Sequence, residues 1–192
     1  MVSRETLLEK YFQEKVPQTI RYAQMLGTWG IERGLIGPKE GDRIWDRHIS
    51  NCIPVTTLIP YNATVVDIGS GAGLPGIVIA LARPDTQVTL VEPNASFVSC
   101  PISNLVIGGS KSMSDITTPY DNLSKRHGVN VVRGYVTQID AEKRLVKLGD
   151  GSELSYDRLI LSPGVDLMMD TLPGMSKPGA QDKILPAWKA GP

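Results

Sequence analysis

Four glycines, Gly69, Gly71, Gly73 and Gly76, follow the β-branched run Thr64-Val-Val-Asp-Ile68 and precede the apolar run Ile77-Val-Ile-Ala-Leu-Ala82. Without side chains a backbone can turn tightly and approach a ligand, and the amides at the start of a helix favour electron-rich atoms. Ser70 and Ala72 stand between the glycines and add little bulk, so Gly69 to Gly73 together with Gly76 form a candidate nucleotide-binding loop. Glu92 lies 21 residues after Gly71, at the end of Gln87-Val-Thr-Leu-Val-Glu92. A carboxylate there can accept hydrogen bonds from both hydroxyls of a ribose. The plain alternative is a tight turn beside a solvated acid, which leaves the order strand, loop, helix, strand, acid unexplained.

The loop leaves the nucleotide open. Gly71-x-Gly73-x-x-Gly76 satisfies the dinucleotide pattern, whereas Asp67-x-Gly69-x-Gly71-x-Gly73 is the spacing of S-adenosylmethionine-dependent methyltransferases. Other reactive side chains are sparse. Cys52 and Cys100 stand 48 positions apart, which excludes a disulfide scaffold and a zinc site built on a CxxC pair, and no metal site is expected. His48 shares an apolar helical stripe with Trp45 and Ile49, which favours packing over catalysis, and His127 precedes Gly128, where a cation suits a helix end. Trp29, Trp45 and Trp188 are too dispersed to form a base-stacking platform.

The elements that position the loop follow from periodicity. Residues 4–50 read as helical, with Leu7, Leu8, Tyr11 and Phe12 on one face before Pro17, Ile20, Ala23 and Leu26 on the next helix, and a third helix opened by Pro38 that carries Ile44, Trp45, His48, Ile49 and Cys52. Strand, glycine turn, helix and strand from 64 to 92 make a βαβ unit. An irregular stretch is expected over 93–114, then a helix with Pro119 near its first turn and Gly128 past its end. A strand at Val129–Val132 is followed by an antiparallel meander over Tyr135–Ile139, Arg144–Leu148 and Leu154–Ser155, and by a buried strand Arg158–Ser162. The predicted fold is a Rossmann-like, three-layer α/β nucleotide-binding domain. It divides into a helical cap at 1–60, the βαβ unit at 61–92, the remaining sheet with its meander at 93–169, and a Pro/Gly-rich tail at 170–192.

The 192 residues carry 20 Lys and Arg against 20 Asp and Glu, with 41% hydrophobic residues. That describes an ordinary globular chain able to build a core without metal or disulfide. Residues 1–91 carry 9 basic and 9 acidic groups and residues 92–192 carry 11 of each, so no broad phosphate-gripping field is expected and any RNA must be held by a small local patch. Charges interrupt the first ten residues too early for a secretory core, and the longest apolar stretch, Leu74 to Ala82, is far below the roughly 20 residues that cross a bilayer. A cytoplasmic location without membrane contact is expected.

Residues about 20–92 resemble the glucose-inhibited division protein B family of small-subunit rRNA guanine-N7 methyltransferases, in its actinobacterial form. The resemblance is carried by Glu32-Arg-Gly-Leu-Ile-Gly-Pro-Lys39, Ile44-Trp-Asp-Arg-His-Ile-Ser-Asn-Cys52 and Val65-Val-Asp-Ile-Gly-Ser-Gly-Ala-Gly-Leu-Pro-Gly76. It implies S-adenosylmethionine as cofactor, with the 69–73 loop around its methionine part and Glu92 on its ribose, and ribosomal RNA as partner. Guanine N7 is an unprotonated nucleophile, so no general base is required and catalysis is alignment. After Glu92 the sequence leaves that family's pattern, so the walls of a guanine pocket are not supplied and impaired turnover is expected.

Residues about 88–192 resemble instead the flavoprotein subunit of flavocytochrome c sulfide dehydrogenase. The carrying segments are Val88-Thr-Leu-Val-Glu-Pro-Asn94, Phe97-Val-Ser-Cys-Pro-Ile-Ser-Asn-Leu-Val-Ile-Gly-Gly109, Tyr156-Asp-Arg-Leu-Ile-Leu-Ser-Pro-Gly164 and Ala187-Trp-Lys-Ala-Gly191. This resemblance implies FAD, with Glu92 on its adenosine ribose and Cys100 at the position of a flavin-bearing cysteine. The residues around Cys100 offer no cation to stabilise a thiolate, which favours a buried, inert thiol. The chain therefore looks like a chimera of two nucleotide-binding folds joined at a shared second strand, and a non-catalytic nucleotide-binding fold is a further alternative. Strands that flank the sheet in either parent would be missing, so an open sheet edge and a homodimer through it are expected.

Overall fold

The computed structural model describes residues 3–127, 129–164 and 168–183. Helix α1 (Arg4–Tyr11) begins at Ser3, whose side chain accepts a hydrogen bond from the Thr6 amide. A 3-10 turn (Gln13–Lys15) leads into α2 (Val16–Met25). Pro17 was expected to break this region; it instead occupies the first turn of α2, where its missing N–H leaves no gap in the hydrogen-bond ladder. The chain continues from α2 as a π-helical turn (Leu26–Gly30). The third predicted helix begins at Gly41 rather than at Pro38, runs as a 3-10 turn and a π-helical stretch (Ile44–Ile49), and ends as α3 (Ser50–Thr56). Leu7, Leu8, Phe12, Ala23, Leu26, Ile44, Ile49 and Ile53 form the core of this cap.

Strand β1 (Thr64–Ile68), α4 (Gly76–Ala82) and β2 (Gln87–Glu92) form the βαβ unit. The stretch expected to be irregular holds β3 (Ser96–Val98) and the short α5 (Asn104–Ile107). The pattern there was hidden because β3 is three residues long and pairs across the chain with β4 (Thr117–Pro119). Pro119 thus closes a strand instead of opening a helix, and α6 spans Asp121–His127. Then come β5 (Asn130–Arg133), the meander β6 (Val136–Asp140), β7 (Leu145–Leu148) and β8 (Glu153–Ser155), and β9 (Arg158–Leu161). The tail, expected to hold no element, carries a 3-10 turn at Met169–Thr171 and α7 (Ala180–Lys183). Gly128, the side chain of His127 and the segment 187–191 with Trp188 lie outside the described residues.

The main sheet is parallel, in the order β5-β2-β1-β9. Alternation along its strands separates two faces. Val65 packs with Ile59, Ala63, Ile79, Val88 and Ile160 on the helical side, whereas Val66, Ile68 and Val91 pack against Val146 and Leu148 of the meander. Helices, parallel sheet and meander are the three layers, so the fold is the Rossmann-like α/β arrangement that the sequence predicts. No described helix is long and apolar enough to cross a membrane.

Hydrogen bonds tie the first half of the chain to the second. The Thr64 amide donates to Asp157 Oδ2 at 2.8 Å, Arg158 Nε donates to the Leu58 carbonyl at 2.8 Å, and Arg33 Nη1 donates to Thr118 Oγ1. The buried Ser99 hydroxyl donates to the Arg33 carbonyl.

Candidate functional site

The loop leaves β1 at the point where the sheet turns from β2 on one side to β9 on the other, the position at which open α/β sheets bind ligands. Its first glycine is fixed by contact. Gly69 has φ +78°, and a Cβ there would lie 1.9 Å from the Ser162 carbonyl oxygen. Gly71, at φ +55°, faces open space, with nothing within 4 Å of the position a Cβ would take.

The loop folds back on itself. The amides of Gly73 and Leu74 both donate to the Ser70 carbonyl, at 2.9 and 3.0 Å, and Ile77 donates to the Gly73 carbonyl at 2.8 Å. Pro75 has no amide hydrogen. Gly76 donates to Asp67 Oδ2 at 2.9 Å, and a Cβ on Gly76 would lie 2.3 Å from that oxygen.

Asp67 is the one charged side chain of β1 and is 0% exposed. Among the described residues its Oδ1 has no hydrogen-bond partner. Burial lifts its carboxyl to about 6, with the Gly76 amide pulling the other way. Tyr22 on α2 and Cys52 on α3 feel its charge; burial chiefly, and Asp67 in addition, raise both groups, the Cys52 thiol to about 11. The Tyr22 hydroxyl donates to the Ala72 carbonyl at 2.8 Å, which fastens the cap to the loop.

A cavity of about 550 Å³ opens above the loop. Ser70, Gly71, Ala72 and Gly73 form its floor and Glu92 one side. The cap contributes Leu26, Trp29 and Arg33, and the segment after β3 contributes Thr118, Tyr120 and Leu123. Arg33 and Glu92 are its two charged side chains among the described residues, in a wall that is otherwise mostly apolar. Glu92 Oε1 accepts from both the backbone and the side-chain nitrogen of Asn94, each at 2.8 Å. Burial foremost, then the charge of this carboxylate, pushes the Tyr120 phenol up to about 12. A second hollow of about 540 Å³ lies on the meander side, walled by Gly69, Glu92, Gly134 and Thr137, so Glu92 stands between the two.

The structure thus brings Ser70, Gly71, Ala72, Gly73 and Glu92 into one cavity. Gly69 sits behind the loop against Ser162, and Gly76 packs on Asp67 beneath it. Cys100 opens a half-buried 3-10 turn (Cys100–Ile102) and is not among the residues lining either hollow. His48 is at the edge of the cap core, with Nε2 2.9 Å from Glu40 Oε2. Tyr22, Arg33 and Tyr120 were not singled out from sequence, since nothing local marks a side chain that reaches the loop across the chain. Asp67 did carry a signal: a charge inside an apolar strand.

The family model for pyridine nucleotide-disulphide oxidoreductases matches residues 63–187. The chain belongs to the pyridine nucleotide-disulphide oxidoreductase family. Its N-terminal part carries a second domain match, to GidB, the rRNA small subunit methyltransferase G, over residues 15–98. The two matches overlap at 63–98, where β1, the loop and β2 serve both patterns. Among curated relatives, ribosomal RNA small subunit methyltransferase G of Renibacterium salmoninarum is 58% identical over 82 residues, 43% of this chain and 38% of that protein. The Salinispora arenicola protein of the same name is 49% identical over 108 residues, 55% of this chain and 45% of that protein. The chain therefore spans less than half the length of these relatives. Similar solved structures include the sulfide:quinone oxidoreductase of Aquifex aeolicus, 23% identical over 54% of this chain and 25% of that one, with a TM-score of 0.49. Reduced Bacillus anthracis CoADR-RHD is 21% identical over 59% of this chain and 22% of that one, with a TM-score of 0.48.

Proposed function

We propose that the chain binds S-adenosylmethionine in the cavity over the glycine loop, as a domain derived from a 16S rRNA guanine-N7 methyltransferase. The observation that carries this reading is the convergence of Ser70–Gly73 and Glu92 on one mostly apolar cavity, behind a loop of the Asp-x-Gly-x-Gly-x-Gly spacing. Glu92 takes the ribose through its carboxylate, one oxygen of which already meets Asn94. Methyl transfer is impaired, because the segments after Glu92 follow the oxidoreductase pattern and not the one that builds a guanine pocket. Ribosomal RNA, a cytoplasmic location and a homodimer through an exposed sheet edge belong to the same reading.

A second reading rests on the oxidoreductase match over 63–187: an FAD-binding fragment with Glu92 on the ribose and Cys100 near the flavin. The residues present fit that group poorly. Four of the amides at the loop and helix start are bonded internally, Pro75 has none, and Cys100 is outside the cavity wall.

The deciding experiment is a calorimetric titration of flavin-free protein with S-adenosylhomocysteine, with Gly71→Val as the control. Saturable binding that the variant loses is the expected result, followed by little or no methyl transfer to small ribosomal subunits. Absence of heat from folded wild-type protein overturns the reading and turns attention to FAD.

A further inference from the structure

The ligand readings differ most in charge at the loop. A dinucleotide places an anionic pyrophosphate there, whereas S-adenosylmethionine places a sulfonium cation beside it. Beneath the loop lies Asp67, wholly buried, with one oxygen on the Gly76 amide and the other without a partner among the described residues. The titratable groups that face it from the packed helices are the Tyr22 phenol and the Cys52 thiol, both uncharged near neutral pH. Among the described residues no cation contributes to its electrostatics. Above it, Gly73, Leu74, Gly76 and Ile77 already donate within the protein, so these four amides are not offered to a phosphate. The cation in the cavity wall, Arg33, comes from the cap and donates to Thr118.

We propose that Asp67 sets the charge specificity of this site: its uncompensated carboxylate beneath the glycine loop admits an adenosyl ligand that is neutral or cationic beside the loop and rejects one that carries a pyrophosphate there. The proposal rests on the nucleoside-binding reading above and adds the residue that discriminates. A buried charge acts through low-dielectric protein and is little screened by salt, so its effect on a ligand charge across the loop is on the order of tenfold or more in affinity.

The test uses the full chain and four probes: adenosine, ADP, S-adenosylmethionine and S-adenosylhomocysteine. Adenosine and ADP differ by the pyrophosphate, and the two adenosyl amino acids differ by one methyl and its positive charge. Wild-type protein is expected to bind adenosine at least about tenfold more tightly than ADP. In Asp67→Asn, which keeps an acceptor for the Gly76 amide, that gap closes and the preference for S-adenosylmethionine over S-adenosylhomocysteine falls by about tenfold. ADP binding to wild type as tightly as adenosine overturns the proposal and leaves the nucleoside site standing. Both preferences unchanged in Asp67→Asn overturn it equally. If the variant does not fold, the wild-type adenosine and ADP affinities decide. No binding of any probe to folded wild type removes the nucleoside site and this proposal with it.

Discussion

Gly69 meets the Ser162 carbonyl so closely that a Cβ at position 69 would stand 1.9 Å from its oxygen. The first residue of the glycine loop is thereby keyed to the residue that follows the last strand of the sheet. A loop covered by both family matches rests against a residue covered only by the oxidoreductase match. Gly69→Ala must both hold a left-handed φ of +78° and move backbone. It is expected to destabilise the protein by about 2 kcal/mol or more, or roughly 4–8 °C in melting temperature. Thermal unfolding checks this; a loss below 1 °C would show that the approach is relaxed in solution.

Asp67 links stability to pH. Its carboxyl titrates near 6 in the fold against an ordinary 3.8, because burial disfavours the charged form. The folded chain holds the extra proton between these values, so stability falls as pH rises from about 4 to about 6, and the penalty is complete above that at about 3 kcal/mol. Asp67→Asn removes this dependence. The melting temperature of the variant should gain on the wild type by on the order of 5–10 °C between pH 4 and pH 7. A difference that stays constant across that range counts against the assignment.

Arg83 works at the acid end. Its guanidinium donates to the carbonyls of Thr56, Ile59 and Pro60 and to Asp85, clamping the turn after α3 to the connection after α4. That hydrogen bond holds the Asp85 carboxyl down at about 2. The folded pKa is depressed, so this contribution is present above about 4 and is lost as pH falls through about 2. Arg83→Ala should cost about 2 kcal/mol at neutral pH and flatten the acid limb of the unfolding curve. Unfolding in urea at pH 7 and pH 3 measures both effects.

Glu92→Ala tests the ribose contact. Loss of a charged acceptor should weaken S-adenosylhomocysteine binding by about tenfold, while Asn94 loses only a surface partner and the melting temperature moves little. Unaltered affinity in calorimetry would detach Glu92 from the ligand.

The βαβ unit and the meander were legible in sequence because their signals are local: β-branched runs, glycine turns and alternating strands. Strand β2 spans the residues its apolar run marks, Gln87–Glu92. The pair β3 and β4 was not legible, since three-residue strands acquire order from pairing across 18 or more intervening residues. Pro119 was misread for the same reason: a proline suits a helix start and a strand end alike, and only the neighbour at Ser96 decides between them.

The amino-acid sequence by itself determined the loop, the strand before it, the helix after it and the acid at the end of β2, because glycine, β-branched and charged residues constrain their own backbone and its immediate neighbours. The tertiary structure alone decided that Tyr22, Arg33 and Tyr120 wall the same cavity, that Cys100 is not among its lining residues, and that Asp67 lies buried with no counter-charge among the described residues. Those outcomes depend on which distant segments exclude water from a given side chain. Burial and charge environment are properties of the packed chain, and no local spacing encodes them.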